Sequence, residues 1–174
     1  MEKRQAFRSL VTFRLGQQAY ALPIESIVQI VEIVTIVPIP RINHSVEGVI
    51  NYHGKAIPAV NLRRHLGLPV VPFGLDTHIM VAESAGRTIG LLVDQVLSVS
   101  ELPDAEISNP GDILPDGLGE VPFLSGVTHV TGEMVFVLDL EHLFVGQPAE
   151  QLAQAIDVFA DTFESAEPEL EAQV

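Results

Sequence analysis

The sequence contains no cysteine, no long uninterrupted apolar run and, beyond Arg87, no basic residue. The lack of cysteine excludes a disulfide scaffold, a cysteine nucleophile and thiolate metal sites, and it fits a reducing compartment. The most apolar stretch, residues 24–40, is interrupted by Glu25, Glu32 and two prolines. It therefore falls short of the roughly 20 apolar residues that a membrane-spanning helix needs. These absences predict a soluble protein of the cytoplasm.

The charged residues are distributed unevenly along the chain. All nine Lys and Arg lie between Lys3 and Arg87, beside six acids, so the first half carries a charge of +3. The rest of the chain contains the remaining seventeen of the 23 acids, and the net charge is −14. Nucleic acids and anionic membranes bind dense cationic surfaces, so we expect neither as the main partner.

An internal repeat organises the chain, whose 47% apolar and 18% charged residues are typical of a globular protein with a core. Residues 48–66 align without a gap on residues 126–144 at an offset of 78. Residues 10–30 align on residues 79–99 at an offset of 69. The offsets differ by nine, so the second copy carries an insertion. It falls in the Pro- and Gly-rich stretch 102–122, which we predict to be a long surface loop.

Each copy of the repeat is predicted to be mostly β-strand with tight turns. Two of the expected hairpins turn on His53-Gly54 and on Thr131-Gly132, where the glycine supplies the positive φ that such turns need. Asn61 and Asp139 follow the last strand of each copy, and each is predicted to cap one short helical turn.

Many short strands with tight turns, present twice, predict a mainly all-β fold of two small antiparallel barrels related by a pseudo-twofold axis. The lobes are expected at about residues 8–72 and 73–146, and strands can be exchanged between them. Residues 148–163 are predicted to form an amphipathic helix that packs on the barrels or on a partner. Its apolar stripe consists of Leu152, Ile156, Phe159 and Phe163. The acidic residues 164–174 are predicted to be frayed.

No sequence motif indicates catalysis or metal binding. The chain has no Gly-x-Ser-x-Gly elbow, phosphate-binding loop or dinucleotide-binding fingerprint, and no two of its six histidines are spaced as metal ligands on one helix or strand. The acids of the inserted stretch fit no EF-hand register. We therefore expect no catalytic residue, no metal site and no cofactor. A ligand-binding or enzymatic barrel protein that uses the 102–122 loop remains the alternative of another class.

Equivalent segments of the repeat carry opposite charge. The residues concerned are Lys55, Arg63 and Arg64 in residues 48–66, and Glu133, Asp139 and Glu141 in residues 126–144. A basic face on one lobe can dock on an acidic face of a second molecule, which predicts self-association through a heterologous contact. The alternative is that the two charge patterns diverged on solvated surfaces without a role in binding, since surface ion pairs alone contribute little to stability.

The chain resembles the CheW-like family, the coupling scaffolds of bacterial chemotaxis arrays, over roughly residues 8–146. The matching segments are Gly48-Val-Ile-Asn-Tyr-His-Gly, Ile57-Pro-Ala-Val-Asn-Leu-Arg, Ile89-Gly-Leu-Leu-Val-Asp-Gln-Val, Leu124-Ser-Gly-Val and Val137-Leu-Asp-Leu, in that order. The resemblance implies two five-stranded SH3-like barrels and no catalytic activity. It further implies an adaptor between the cytoplasmic tip of methyl-accepting chemoreceptors and the regulatory domain of a CheA-type histidine kinase, at the inner face of the membrane.

Two positions depart from the family pattern. The family usually has Asn-Leu-Arg-Gly where this chain has Asn51-Tyr-His-Gly54, and a glutamate where Gln29 stands. If the two positions face each other, Gln29 and His53 replace an ion pair by a neutral contact and alter the choice of partner. A scaffold of the same fold in a pilus or gliding-motility pathway with a divergent kinase therefore stays open. The candidate partner-binding residues are Ile27, Gln29, Asn51, His53, Gly54, Lys55, Arg63, Arg64, Glu133 and Glu141.

Overall fold

The computed structural model describes residues 4–40, 44–113 and 121–144. Its strands are β1 (Phe7–Leu15), β2 (Gln18–Pro23), β3 (Ile27–Glu32), β4 (Val46–Tyr52), β5 (Lys55–Asn61), β6 (His78–Ser84), β7 (Arg87–Val93), β8 (Gln95–Pro103), β9 (Leu124–Val130) and β10 (Glu133–Leu138). One-turn helices are α1 (Leu62–His65), α2 (Pro110–Ile113) and α3 (Leu140–Leu143). The predicted helix at 148–163 and the acidic tail at 164–174 lie outside the described residues.

The strands form two five-stranded sheets with the same topology. Sheet 1 has the order β8-β1-β2-β10-β9, and sheet 2 has the order β3-β6-β7-β5-β4. Replacing every strand by its equivalent in the sequence repeat converts one order into the other. In each sheet a single pair is parallel, β2 with β10 and β5 with β7. The predicted all-β architecture of two equivalent five-stranded lobes is therefore confirmed, whereas the prediction that the lobes are antiparallel throughout is wrong at these two pairs.

Each sheet contains strands from both copies of the repeat. β3 of the first copy pairs with β6 of the second, and β8 of the second copy pairs with β1 of the first. Sheet 2 consists of five strands that are consecutive in the sequence, β3 to β7. Sheet 1 combines β1 and β2 with β8, β9 and β10. The segments 8–72 and 73–146 delimit the copies of the repeat, and the chain crosses between the sheets after β2 and after β7.

Each sheet is curved until its two edges meet. Val37, which follows β3, exchanges two backbone hydrogen bonds of 2.8 and 2.9 Å with Val49 of β4, although β3 and β4 are at opposite edges of sheet 2. Ser108, which follows β8, makes the equivalent bonds of 2.8 and 2.9 Å with Val127 of β9. These bridges join the two edges of each sheet at one point, as in an SH3-like barrel, and pair backbone groups that an open edge would expose.

Alternating residues of β1 face two different cores. Leu10 packs inside sheet 1 with Ala21 and Val137, whereas Val11 and Phe13 pack into a larger core between the sheets. Successive side chains of a strand point to opposite faces, so β1 is buried on both faces between Leu10 and Phe13, where Thr12 is the one polar residue. A third core, around Ile50, Ile57 and Ile79, lies inside sheet 2.

The inserted stretch 102–122, predicted as a surface loop, contributes to the wall of sheet 1. Within its described part, a 3₁₀ turn at Asp104–Glu106 precedes the bridge at Ser108, and α2 follows. Ile107 packs against the sheet 1 core, close to Gly126. Residues 114–120 lie outside the described residues.

The two predicted helix caps are confirmed. The Asn61 side chain accepts hydrogen bonds from the N–H groups of Arg63 and Arg64 at the start of α1. Asp139 accepts the corresponding bonds from Glu141 and His142 at the start of α3.

Asn61→Ala is expected to lower the unfolding free energy by about 1 kcal/mol, because it removes a helix cap. It also removes the 2.9 Å bond from the Asn61 amide to Glu47. Asp139→Ala, at the more exposed cap, serves as the matched variant and should cost less. Urea titrations of both proteins provide the measurement, and an equal or reversed order of losses would contradict the expectation.

A residue and its repeat equivalent meet at the pseudo-twofold axis. The offset of 78 relates His65 to Leu143, and His65 Nε2 donates a 2.6 Å hydrogen bond to the carbonyl oxygen of Leu143. The opposite ring nitrogen, Nδ1, lies 3.0 Å from the Ser45 hydroxyl, and the ring lies 4.9 Å from the ring of Phe144. The axis therefore passes between α1 and α3, the last described element of each copy.

Replacing His65 by the residue at its repeat equivalent, His65→Leu, is expected to cost about 1 kcal/mol of stability. The variant retains apolar packing but leaves the Leu143 carbonyl without its donor. His129→Ala, at an exposed histidine, is the control and should stay within about 0.5 kcal/mol of the wild type. Chemical denaturation measures both. An unaltered His65→Leu protein would show that water replaces the lost donor.

Candidate functional site

Arg63 links the two sheets instead of facing solvent. Its Nε donates to both carboxylate oxygens of Asp94, at 2.8 and 3.0 Å, and its Nη1 donates to the carbonyl of Pro69 at 2.8 Å. Asp94 lies in the crossover from β7 to β8 and also accepts a 2.6 Å bond from the N–H of Gly16, in the turn between β1 and β2. Only 13% of the Arg63 side chain is exposed.

Burial alone would raise the pKa of the Asp94 carboxyl. The hydrogen bonds from the Arg63 guanidinium and from the Gly16 N–H, together with the positive charge of Arg63, lower this pKa below its usual value. Asp94 therefore remains ionised at neutral pH, and the ion pair is part of the junction between the sheets.

Two other candidates from the charge pattern also have partners within the chain. Arg64 Nε donates a 2.7 Å bond to Glu47. Glu133 receives two bonds from the Arg14 guanidinium, at 2.7 and 3.0 Å, which lower the pKa of Glu133. The structure therefore places Arg63, Arg64 and Glu133 in intramolecular ion pairs.

Lys55 and Glu141 are the two exposed members of that charge pattern. Lys55 begins β5, and Glu141 lies in α3. Self-association through opposite charges stays a prediction, and these two residues offer the accessible charges for it.

Four candidates taken from the resemblance lie around the end of β4: Gln29, Asn51, His53 and Gly54. The Tyr52 hydroxyl, at the end of β4, donates a 2.8 Å hydrogen bond to Gln29 Oε1 on β3. The His53 ring contacts the Tyr52 ring edge-on, with centroids 4.5 Å apart. Asn51 Oδ1 accepts the N–H of Gly54 at 2.9 Å and so shapes the turn. Gln29 and His53 thus both contact Tyr52, and we call these three residues the neutral rim.

A second surface follows the two edge strands β3 and β8. Each strand has a register shift that leaves one extra residue, Val28 in β3 and Leu97 in β8. Such a bulge bends a strand and changes the direction of its side chains. Val28 and Leu97 are exposed, as are Ile30 and Val99 two residues further on. The repeat offset of 69 relates Val28 to Leu97 and Ile30 to Val99. We call these four residues the apolar strips.

Ile27 lies at the base of this surface and not on it. It is partly buried and packs against the core between the sheets, as does its repeat equivalent Val96. Both strips therefore begin at the junction of the two sheets.

Sequence analysis missed Tyr52, Asp94 and Glu47. Tyr52 lies in the segment Asn51-Tyr-His-Gly54, where the family usually has a leucine at this position. The tyrosine in place of that leucine was a usable signal. Asp94 also lies in a matching segment, but nothing local connected Asp94 or Glu47 to their partners Arg63 and Arg64, which are 31 and 17 residues away in sequence.

The described part of the chain shows neither a cluster of three His, Asp or Glu side chains that could hold a metal ion nor a helix long and apolar enough to cross a membrane.

Comparisons with known proteins agree with this architecture. Residues 9–147 match the model of the CheW-like domain. "Chemotaxis protein CheW" of Rhizobium meliloti (strain 1021) is 31% identical over 82% of this chain and 91% of its own length. The Thermotoga maritima protein of the same name is 30% identical over 77% of this chain and 85% of its own. The crystal structure of the scaffolding protein TtCheW from Thermoanaerobacter tengcongensis superposes with a TM-score of 0.73 at 28% identity, over 82% of this chain and 96% of that chain.

Proposed function

Because the chain belongs to the CheW-like family, whose members are non-enzymatic chemotaxis scaffolds, we propose that it couples methyl-accepting chemoreceptors to a CheA-type histidine kinase. A scaffold with this role needs two surfaces that are accessible at the same time. The apolar strips and the neutral rim are two such surfaces on the described part of the chain.

The exposure of the apolar strips is the observation that carries the proposal. Val28 and Val99 are 51% and 58% exposed, and Ile30 and Leu97 are 36% and 38% exposed. An amphipathic helix binds by laying its apolar face on an exposed apolar surface, which is the partner chemistry that these strips fit. Both strips begin beside the core between the sheets, and each offers exposed apolar side chains to such a helix. We assign the receptor tip to the apolar strips.

The charged residues next to the strips fit the same assignment. Glu32 follows Ile30 by two residues and Glu101 follows Val99 by two residues, and both acids are exposed. They are also related by the repeat offset of 69. An apolar surface flanked by carboxylates favours a partner helix with basic residues beside its apolar face.

Binding of a soluble receptor-tip fragment to the full chain tests the proposal. Val28→Ser with Val99→Ser is expected to weaken this binding at least about 10-fold, because two exposed apolar side chains at the centre of the contact are lost. Met134→Ser, at a residue of β10 that is 41% exposed, is the matched control and should bind as the wild type does. Binding of the kinase regulatory domain should be retained in all three proteins.

The outcomes separate the alternatives. No binding of receptor tip or kinase by the wild type would overturn the proposal. Binding only to the kinase and receptor of a pilus or gliding-motility system would transfer the same scaffold role to that pathway. Equal loss of receptor binding in the Met134→Ser control would overturn the assignment to the apolar strips.

A further inference from the structure

We infer that residues 148–163, the predicted amphipathic helix, pack on one end of sheet 1 through their apolar stripe. These residues lie outside the described residues and beyond residues 9–147, which match the family model. The surface that receives them is formed by Phe7 at the start of β1 and by Pro23 and Ile24 where β2 ends. We call these three residues the open end. The contact lies within the chain, so it is tested without receptor or kinase.

The linker after α1 shows how the first copy covers the equivalent end of sheet 2. This linker, residues 66–77, runs from α1 to β6 and is held near its start by the bond from Arg63 to the Pro69 carbonyl. The linker and the end of β7 line one small cavity, with Val71, Pro72 and Phe73 from the linker and Leu92, Val93 and Asp94 from β7 and the residue after it. The linker therefore covers the end of β7.

The pseudo-twofold axis relates this path to one on sheet 1. It converts β7 into β2, β6 into β1 and α1 into α3. A chain that continues after α3 as the linker continues after α1 therefore passes the end of β2 and reaches the start of β1. This continuation begins at Phe144, the repeat equivalent of Leu66, and both residues pack in the core between the sheets. The chain after Phe144 is thus directed toward the open end.

The positions beside the linker in sheet 2 are less exposed than their equivalents in sheet 1. Val93 is 1% exposed, whereas its equivalent Ile24 is 39% exposed. The same order holds for four further pairs, in which the less exposed residue comes first: Leu92 and Pro23, Asp94 and Glu25, Asn61 and Asp139, Arg63 and Glu141. The described residues therefore cover this end of sheet 2 and leave the equivalent end of sheet 1 exposed.

The apolar stripe fits the open end in length. It extends about 17 Å from Leu152 to Phe163, at about 1.5 Å per residue of helix. The open end extends about 10 Å, because Pro23 pairs with Leu10 and Phe7 lies three residues further along β1. Phe7 is 54% exposed. One helix can therefore bury apolar area at both ends of this surface.

The charges of the segment are compatible with the acidic neighbours of the open end. Glu25 follows Ile24, Glu141 lies in α3, and both acids are exposed. At about 3.6 residues per turn, the acids of residues 148–161 fall on the face opposite the apolar stripe. They are Glu150, Asp157 and Asp161. A helix that lays its stripe on the open end therefore turns these carboxylates to solvent.

The exposed apolar residues of the linker form the rival surface. They are Val70, Val71, Phe73 and Leu75. A twofold axis reverses direction, so the chains that follow α1 and α3 leave the axis on opposite sides. The segment after α3 is therefore directed away from the linker and toward sheet 1.

Paramagnetic broadening in the full chain tests the inference. The sequence has no cysteine, so Ala160→Cys, beside the apolar stripe, carries a single nitroxide label. The amide signals of Phe7 and Ile24 are expected to lose intensity relative to the same protein with reduced label, and those of Val70 and Leu75 to keep it. An isotope-labelled chain mixed with a spin-labelled, isotope-free chain should show no loss, because the contact lies within one molecule.

Variants of the predicted helix identify the side chains that make the contact. Phe159→Ser with Phe163→Ser removes half of the stripe and should abolish the loss of intensity at the open end. Val158→Ser, off the stripe on the same predicted helix, is the matched control and should leave the broadening unchanged. Ile24→Ser, at an exposed residue of the receiving surface, should likewise abolish the loss at Phe7.

Signal loss at the linker, at the apolar strips or at no amide would overturn the inference. Loss in the mixed sample would identify a second copy as the occupant and overturn it as well. Broadening that persists in the Phe159→Ser, Phe163→Ser variant would show that the stripe does not make the contact and would also overturn it. The proposed function is judged separately, because none of these measurements contains a receptor or a kinase.

Discussion

Gly48→Ala is expected to lower the unfolding free energy by about 3 kcal/mol, at the upper end of the cost of overpacking. A Cβ atom at Gly48 would lie 2.1 Å from the carbonyl oxygen of Val37 and 2.7 Å from its carbonyl carbon. Both atoms belong to backbone that two hydrogen bonds to Val49 hold in place. The clash can be relieved only by breaking the bridge that closes sheet 2. Urea denaturation and hydrogen exchange at the Val49 amide measure the effect.

Gly126→Ala is the matched control, because the repeat offset of 78 relates Gly126 to Gly48. Its Cβ would lie 2.5 Å from Cγ2 of Ile107, a side-chain methyl, whereas the nearest backbone atom, the Ser108 carbonyl oxygen, is 3.4 Å away. We expect a loss of about 1 kcal/mol. Equal losses at the two glycines would show that the segment carrying Val37 moves as easily as a side chain, and would contradict the first expectation.

Asp94→Asn is expected to lower the unfolding free energy at neutral pH by about 2 kcal/mol, because a charged and hydrogen-bonded partner of Arg63 is lost. The wild type should also lose stability on acidification. Since folding lowers the pKa of Asp94, its contribution is fully present above the unfolded value of about 3.9 and is lost as the pH falls through the lower folded value. The difference between wild type and variant should therefore shrink below about pH 4.

Glu25→Gln is the control for this experiment. Glu25 is the repeat equivalent of Asp94 and is exposed, so its replacement should change the stability at neutral pH by less than about 0.5 kcal/mol. Thermal or urea unfolding between about pH 2 and pH 7 covers the relevant window. A constant difference between wild type and Asp94→Asn over that range would refute the role of the ion pair.

Short-range sequence features predicted the local structure well. The hairpin turns follow from glycines at positive φ, and the caps follow from Asn61 and Asp139, since both depend on residues within a few positions. The repeat predicted the pseudo-twofold symmetry because similar sequence segments fold into equivalent strands. The pairing of β3 with β6 and of β8 with β1 was not determined in this way, because the strand pattern is the same whether a copy pairs with itself or with the other.

The candidate site was harder to predict for a related reason. The repeat alignment places Arg63 opposite Glu141, but alignment relates positions by symmetry and not by contact. In the structure Arg63 pairs with Asp94, which no local pattern connects to it. The neutral rim was only partly predicted. Gln29 and His53 were recognised as departures from a family pattern, whereas the tyrosine that joins them became evident from its hydrogen bond.

The exchange of strands has a consequence for the order in which the protein forms during synthesis. All strands of sheet 2 lie between residues 27 and 93, so this sheet can be completed while the C-terminal part is still being made. β1 and β2 leave the ribosome first but wait for β8 and β10, and pairing Thr12 with Ser98 closes a loop of 86 residues. Long-range pairing is slow. The nascent chain should therefore hold the β1–β2 hairpin, whose two outer edges still lack β8 and β10, beside a completed sheet 2. This hairpin is the part most in need of a chaperone.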